Sequence, residues 1–392
     1  MEKIELLSPA GDLEKLKIAY LYGADACYIG GKDFSLRANA TNFSLEEIEK
    51  ATKYAHKLNK KLYVTVNIVF HNEDIKGLEE YLKKLEEFEV DGLIISDPLV
   101  ISLIKEKYPK LKIFISTQNS TTNIMAVKYW LEQGVDRIVL SREVTKEDIK
   151  KIYDETKAEL EVFLHGAMCT CISGRCVLSN YFTNRDSNRG GCAQVCRFNF
   201  DLDKKRPTEY AVATKDLNLA KYIPDLIQIG VKSLKIEGRM RSTYYLATVN
   251  SCYRKLIDAY YNNSFNEKLL EKEIKLLSRV ANRESTSQYF MHQADETDLY
   301  YNGRQEISNQ DFLGVVIDYN KKTKIATIEQ RNYFEPGERI NIFGPNNIDF
   351  DYDIYKIYDS EFNELEKACH PKQIIKMKIE KEVVKDSMLR KI

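Results

Sequence analysis

Short apolar runs alternate with amphipathic stretches along the first two thirds of the chain. Eight such runs lie at residues 4–7, 26–29, 62–68, 92–95, 113–115, 137–140, 160–164 and 233–236. Most of them are too short and too densely apolar for strands with one face in water, a pattern typical of parallel strands covered on both sides. The pattern therefore predicts eight buried parallel strands.

Helical patterns separate these runs. Ser44 and Glu47 have the spacing of a capping box, and apolar residues follow them at helical spacing along one face. Thr145 begins a second such pattern, and a third apolar stripe extends from Ile75 to Phe88. We therefore predict helices between the strands, two of them starting at Ser44 and Thr145.

Eight strands, each followed by a helix, make the element count of an α/β fold, the (β/α)8 TIM-like barrel. A doubly wound open sheet is the alternative, but no Gly-x-Gly-x-x-Gly follows the first strand, where such a sheet often binds a nucleotide. The sequence therefore favours the barrel. The loops after the strands build the active site of such a barrel, so residues that follow the apolar runs are candidates for its chemistry.

The pattern changes after the eighth strand. Helical stretches cover about 242–262 and continue to about 280, and residues 283–310 are irregular and polar. From residue 311 short alternating strands and turns predict a small C-terminal antiparallel β-barrel, with strands at 314–318, 324–328, 336–342 and 374–379. We predict a barrel domain at 1–282 with an insertion at about 166–232 after strand seven, a linker at 283–310, and a β-domain at 311–392.

Composition narrows the class of protein. The 392 residues carry 59 basic and 59 acidic side chains, so bulk charge attracts neither nucleic acid nor a membrane. The N-terminus lacks the pattern of a secretion signal, and no apolar run approaches the ~20 residues that cross a bilayer. We therefore expect a soluble cytoplasmic protein with no membrane partner, in a compartment where disulfides are rare.

Five of the eight cysteines lie in the predicted insertion. Four of them could close a cage of sulfur ligands around a metal centre: Cys169, Cys176, Cys192 and Cys196. Zinc sites usually pair cysteines two to four residues apart, which the first two of these do not match. Cysteine-only ligation with irregular spacing is more natural for a [4Fe–4S] cluster, and buried thiols are the alternative. Cys171 is then a surplus thiol in the same run.

Polar side chains stand at or just after the ends of the predicted strands. They are Asn67, Gln118, Arg142, His165, Lys235, Glu237 and Arg239. Cations and amides that converge on one barrel mouth suit a carboxylate or phosphate ligand. The alternative is that Arg142 pairs with Glu143 and Lys235 with Glu237 as structural ion pairs. His165 fits three roles: proton donor, hydrogen-bond partner of a cluster sulfur, or satisfied polar group.

The residues around the first two cysteines form a motif. It reads Glu161-x-Phe163-x-x-Gly166-Ala167-Met168-Cys169-x4-Gly174-x-Cys176-x-Leu178-Ser179. This motif resembles the signature of the collagenase-like peptidases, family thirty-two of the unassigned peptidases. The resemblance extends from residues 6–11 through 23–26 to 233–239, about three quarters of the chain. Segments 34–37, 66–68, 71–72, 96–98, 141–143 and 214–217 resemble the family's tRNA-hydroxylating branch.

The resemblance implies 5-hydroxylation of the wobble uridine of tRNA, with prephenate as co-substrate and a [4Fe–4S] cluster held by the four cysteines. Prephenate carries two carboxylates, so the expected substrate-binding residues are Arg37, Asn67, Gln118, Arg142 and Arg239. The expected catalytic residues are His165, Lys235 and Glu237. The expected partner is tRNA, and the need for a paralogous partner subunit stays open.

Three other functions fit the resemblance: peptidase, hydroxylase of a ribosomal RNA cytidine, and non-catalytic RNA-binding partner. A peptidase reading is weak because a thiol that binds a cluster is not free to act as a nucleophile, and neither His-Glu-x-x-His nor Gly-x-Ser-x-Gly occurs. An RNA enzyme must hold an unstacked base, for which aromatic rings near the cysteines are candidates. They are Tyr181, Phe182, Phe198 and Phe200.

Overall fold

Eight parallel strands close into a barrel in the computed structural model of the chain. The strands up to residue 300 are β1 (Glu5–Pro9), β2 (Ala26–Gly30), β3 (Lys61–Val66), β4 (Gly92–Ile95), β5 (Ile113–Ile115), β6 (Arg137–Val139), β7 (Glu159–Gly166), β8 (Phe200–Asp203), β9 (Arg206–Tyr210), β10 (Ala213–Thr214), β11 (Asp216–Asn218), β12 (Ser233–Ile236), β13 (Ser285–Thr286) and β14 (Leu299–Tyr300). Strands β1 to β7 pair in chain order, and β12 pairs in parallel with both β7 and β1. The predicted α/β barrel and its eight strands are confirmed.

The structure describes residues 3–36, 42–173, 175–203, 206–210, 212–281, 283–300 and 310–392. The predicted ligand-binding residue Arg37 lies outside these ranges.

Helices follow the barrel strands and cover the outside of the barrel, apart from α7, which belongs to the insertion. They are α1 (Leu13–Leu21), α2 (Leu45–Lys57), α3 (Leu78–Glu87), α4 (Pro98–Lys107), α5 (Ile124–Glu132), α6 (Lys146–Thr156), α7 (Leu178–Thr183), α8 (Ile223–Ile229), α9 (Thr243–Tyr261) and α10 (Glu267–Ala281). The predicted capping box of Ser44 and Glu47 forms at α2, and Thr145 caps α6 by accepting from the Asp148 amide. The third stripe begins later than predicted, because Ile75 belongs to a short 3-10 turn and α3 starts at Leu78.

The two faces of the barrel strands bury different residues. The outward face and the helices share one large apolar core. Inside the barrel a smaller cluster contains Leu7, Tyr28, Tyr63, Ile94 and Phe114. Strands that are covered on both sides explain why the apolar runs lack a two-residue alternation.

The insertion after β7 adds strands to the barrel sheet. Strand β11 pairs antiparallel with β7, and β13 pairs with β11. Strand β10 pairs with β14, and β8 pairs with β9. Both β13 and β14 belong to the segment predicted as a linker, so this segment packs against the insertion.

A second sheet forms the C-terminal region, and its predicted antiparallel pairing is confirmed. Its strands are β15 (Phe312–Asn320), β16 (Ile325–Gln330), β17 (Arg339–Gly344), β18 (Ile348–Asp353), β19 (Ile357–Tyr358), β20 (Glu364–Leu365), β21 (Ile374–Lys378) and β22 (Met388–Lys391). Their order is β18-β17-β22-β15-β16-β21-β19-β20. This domain packs on the barrel through Phe312, whose ring stacks on Tyr244 at 4.7 Å, and through an ion pair of 2.6 Å between Lys255 and Asp349. None of the helices in the described ranges combines the length and apolar character that crossing a bilayer requires.

Candidate active site

A cavity of about 280 Å³ opens at the carboxyl ends of the barrel strands. Its floor comes from strand ends, and its roof comes from the cysteine insertion. The predicted site residues in its lining are Asn67, Gln118, Arg142, Cys169, Cys176, Cys192, Cys196, Lys235, Glu237 and Arg239. The structure therefore brings most of the predicted residues to one place, although they are spread along the chain from Asn67 to Arg239.

All five thiols of the insertion line this cavity, and none of them forms a disulfide. Cys192 is exposed, and the other four are partly buried. Burial raises the pKa of the Cys169 and Cys196 thiols. Burial and hydrogen-bond contact with Cys176 raise the pKa of Cys171 to about 12. The surplus thiol is therefore a direct neighbour of a predicted ligand.

The thiols of the cavity form a donor set of cysteine sulfurs alone. In the described residues no group of three or more His, Cys, Asp or Glu side chains is gathered closely enough to hold one metal ion. Cysteine sulfurs bind zinc as tetrahedral ligands. They are also the usual ligands of an iron–sulfur cluster. The donor set of this cavity fits such a cluster.

Hydrogen bonds hold the backbone of the cysteine loop on both sides of Cys176. Glu143, which follows β6, accepts from the Ser173 amide at 3.2 Å and from the Ser173 hydroxyl. The Cys176 carbonyl accepts from Ser187 Oγ at 2.6 Å and from Asn188 Nδ2 at 3.1 Å. Each of these bonds joins segments at least ten residues apart in sequence, so folding of the insertion positions the thiols.

Arg189 fastens the insertion to the loop after β3. Its guanidinium makes a two-pronged contact with the Asp74 carboxylate and donates to the Val69 carbonyl at 2.6 Å. The same hydrogen bond lowers the pKa of Asp74. The sequence carries no signal for this clamp, since neither residue belongs to a motif.

Lys235 lies at the floor of the cavity within a buried chain of charges. Its ammonium donates to Glu161 at 2.7 Å and lies 4.4 Å from the centroid of the Tyr28 ring. Arg137 contacts the other oxygen of Glu161 at 3.3 Å and Glu5 at 2.7 Å. Because each buried charge has an opposite partner, the interior avoids the cost of an unpaired ion.

The ion pairs Arg142–Glu143 and Lys235–Glu237, considered from the sequence, are wrong, because each cation has a different partner. Arg142 pairs with Glu237 at 2.9 Å and lies 3.9 Å from the centroid of the Phe163 ring. Glu143 instead holds the cysteine loop, and Lys235 pairs with Glu161. Side chains from different strands meet inside a barrel, whereas the sequence shows only neighbours along one strand.

Arg239 lines the cavity and is buried. Its guanidinium donates to the Leu36 carbonyl. It passes directly over Gly30, where an added Cβ would come within 2.0 Å of Nη1. Glycine at position 30 is therefore required for this placement of the arginine.

The two predicted amides occupy neighbouring parts of the cavity wall. Asn67 donates to Ser116 Oγ at 3.3 Å and accepts from the Leu36 amide at 3.3 Å. The Gln118 amide side chain has no hydrogen-bond partner within the described part of the chain and lines the cavity. Gln118 is thus the amide with donors and an acceptor to offer a ligand.

His165 does not line the cavity. A bulge shifts the β7–β12 register, so that Phe163 pairs with Lys235 but His165 pairs with the outward-facing Ile236. The imidazole is buried, with Nδ1 3.0 Å from the Tyr253 hydroxyl. Burial, with a smaller effect of Arg241, lowers its pKa to about 3. The ring is therefore neutral at physiological pH and faces α9.

A cluster of arginines beside the cavity was not predicted. Asp216 of β11 has three guanidinium groups around it, with N–O distances of 4.0, 3.6 and 3.3 Å, from Arg197, Arg241 and Arg283. Arg197 also lines the cavity. In the sequence, the position of Arg197 next to Cys196 was the signal that could have placed it at the cavity. Arg241 and Arg283 lie far from the cysteines in the chain.

Comparison with known proteins adds a family and relatives. The model described as peptidase family U32 matches residues 11–299, and that of the peptidase family U32 C-terminal domain matches residues 308–390. The chain is 43% identical over 401 residues to tRNA hydroxylation protein P1 of Bacillus subtilis, covering 100% of this chain and 95% of that protein. It is 34% identical to tRNA hydroxylation protein P of Escherichia coli, covering 89% and 88%. It is 30% identical to a collagenase of Porphyromonas gingivalis, covering 87% and 86%.

Proposed function

This chain belongs to peptidase family U32, as the motif around Cys169 predicted, and from that premise we propose that it is an RNA-hydroxylating enzyme. Its specific reaction is 5-hydroxylation of the wobble uridine of tRNA, with a [4Fe–4S] cluster and with prephenate as co-substrate. The observation that carries the proposal is the meeting of five thiols and four cationic side chains around one cavity. Identity to tRNA hydroxylation proteins over nearly the whole chain supports the choice of substrate.

The cluster would be held by four of the five thiols that line the cavity, Cys169, Cys176, Cys192 and Cys196. Cys171 would be the surplus thiol, as expected from the sequence. A bound cluster supplies electron transfer at the barrel mouth. The protein contributes the surrounding shape and charge, which position the reacting molecules and limit access of water.

The charge of the cavity favours an anionic co-substrate. Among the described residues its lining contains four cations, Arg142, Arg197, Lys235 and Arg239, and one carboxylate, Glu237. Arg142, Lys235 and Arg197 each have a carboxylate partner, and guanidinium and ammonium groups held in this way can still bind the carboxylates of a molecule such as prephenate. Glu237 and Lys235 are the ionisable pair within reach of a bound molecule, and we assign them the transfer of protons.

Proteolysis is the second candidate because of the collagenase relative. A cysteine peptidase needs a histidine base beside its nucleophilic thiol. In the described ranges no histidine lines the cavity, and His165 faces Tyr253 on the outer side of β7. The geometry therefore favours RNA hydroxylation.

Nucleoside analysis of a deletion strain tests the proposal. We expect the strain to lose 5-hydroxyuridine-type nucleosides at the wobble position of tRNA and to regain them with the wild-type gene. A strain that cannot make prephenate should show the same loss. Unchanged wobble nucleosides, with loss of 5-hydroxycytidine from ribosomal RNA, would move the proposal to the ribosomal substrate. Unchanged RNA, with gelatin cleavage by the pure protein, would establish proteolysis instead.

A further inference from the structure

The cysteine insertion exposes three aromatic rings near the mouth of the cavity. Tyr181 is 83% exposed, Phe182 is 52% exposed and Phe198 is 48% exposed. We call these three residues the aromatic rim. Large apolar side chains that stand in water next to a functional cavity mark an interaction surface.

The rim is attached directly to the cavity wall. Phe182 follows Leu178 and Ser179 by one helical turn of α7, and both of these residues line the cavity. Phe198 follows the lining residue Arg197. The rim therefore lies next to the cavity, where part of a larger substrate would remain outside it.

Ring contacts hold part of the rim in place. The rings of Tyr181 and Phe182 meet edge to face with centroids 5.1 Å apart. Phe182 is supported from behind by Phe200 at 5.6 Å. Phe200 was a candidate for base stacking in the sequence, but its ring is less exposed than those of the rim and supports Phe182. The exposed ring faces are thus partly positioned before any partner binds, which lowers the entropy cost of binding.

Two arginines flank in sequence the helix α7 that carries Tyr181 and Phe182. Arg175 and Arg185 are exposed, and neither forms an ion pair with any residue in the described ranges. Arg189, four residues after Arg185, is by contrast fully engaged by Asp74. Aromatic faces interleaved with unpaired cations match the bases and phosphates of a single strand.

We propose that the aromatic rim, with Arg175 and Arg185, is the docking surface for a single-stranded segment of the RNA substrate. Bases stack on the rings, and the arginines contact the phosphates. This inference rests on the proposed function and identifies where the RNA is held outside the cavity. A base-paired duplex fits less well because its bases are already stacked on each other, and the free positive charge favours RNA over an apolar protein partner.

Fluorescence anisotropy with a labelled, unmodified anticodon stem-loop tests the surface in the full-length protein. Tyr181→Ala, Phe182→Ala and Phe198→Ala should each raise the Kd by about fivefold to a hundredfold, the effect of losing one stacked base. Tyr181→Phe should retain binding because it keeps the ring. Tyr355→Ala is the matched control, since Tyr355 is 77% exposed but belongs to the C-terminal domain. Thermal melting and iron content of each variant verify that the fold is intact.

The outcomes separate this inference from the proposed function. Weakened stem-loop binding in the rim variants, with no change for a duplex of equal length, supports the docking surface. Unchanged stem-loop affinity in all three variants overturns it, even where the deletion strain lacks wobble hydroxylation. Weakened RNA binding together with normal wobble nucleosides in the deletion strain would support the surface and overturn the proposed tRNA reaction.

Discussion

At the scale of single residues, the site is defined by how each charge is paired. Arg142 is tied to Glu237 and Lys235 to Glu161, so both cations keep a fixed direction before any ligand binds. A carboxylate ligand then meets guanidinium and ammonium groups that need little reorganisation. Preorganised charge of this kind is worth more in a half-enclosed site than in water.

The arginines lead to the first residue-level prediction. Arg142→Ala and Arg239→Ala should weaken prephenate-dependent hydroxylation at limiting prephenate, because a charge-assisted contact contributes about 1.5–3 kcal/mol. Arg339→Ala is the control, since Arg339 is an exposed residue of the C-terminal domain. Iron content is measured in the same samples. Loss of iron from both site variants would show that these arginines support the insertion and do not bind the co-substrate.

The thiols lead to the second residue-level prediction. Protein purified without oxygen should be brown and contain about four irons and four sulfides per chain. The brown colour should be lost in each of four variants, Cys169→Ser, Cys176→Ser, Cys192→Ser and Cys196→Ser. The Cys171→Ser variant should keep the colour. Cys369→Ser is a control in the C-terminal domain, where the thiol is exposed. A colourless protein with one tightly bound zinc would contradict the cluster assignment.

At the scale of elements, the decisive feature is the irregular end of β7. The bulge opposite β12 reverses the facing of the strand, so His165 packs against α9 while Phe163 remains inside the barrel. Gly166 follows with a φ of +113°, and a Cβ there would approach the Glu237 carbonyl within 2.4 Å. The chain therefore leaves the barrel wall at this point and enters the insertion.

The burial of His165 makes stability depend on pH. Its pKa is about 3 in the folded protein and near 6.5 when unfolded, so below pH 6.5 only the unfolded state binds the proton. The free energy of unfolding should therefore fall by about 2 kcal/mol between pH 7 and pH 5 from this group alone. Urea unfolding of the wild type and His165→Gln at both pH values measures it. The variant should have a shallower pH dependence, and equal slopes would contradict the assignment.

At the scale of the whole molecule, two apolar cores serve different purposes. The barrel core supports the cavity and the insertion, and the C-terminal sheet has its own core around Ile328, Ile340 and Leu389. The C-terminal domain packs on α9 and α10 through Lys255–Asp349 and Arg279–Asp311. None of these contact residues lines the cavity, so the domain adds surface without changing the site directly.

Net charge at this scale hides a segregated distribution. The chain has equal numbers of acidic and basic side chains, yet within the described part of the chain the cavity lining carries four cations and one carboxylate. Composition alone therefore argued against strong attraction of anions. The local concentration of positive charge arises because β6, β12 and the insertion each place a cation at the same mouth.

Much of this architecture could be predicted from local patterns. The apolar runs identified all eight barrel strands, and the caps at Ser44 and Thr145 marked two helix starts. Residues at or just after those runs, among them Arg142, Lys235 and Glu237, line the cavity as predicted, because parallel strands in a barrel end at the same face. The spacing of apolar residues and the position of a capping residue are set by neighbours along the chain, so both can be read from the sequence.

Only the tertiary structure decided how those residues meet. The partners of Arg142 and Lys235, the outward turn of His165, the Arg189–Asp74 clamp and the arginines around Asp216 all join segments far apart in sequence. Each depends on strand register, on one bulge and on the path of the insertion. By itself the sequence determined the eight barrel strands, two helix starts and several of the charged groups at the mouth. The partners of those groups and the direction of His165 followed from strand register in the closed barrel, because register decides which side chains lie opposite each other.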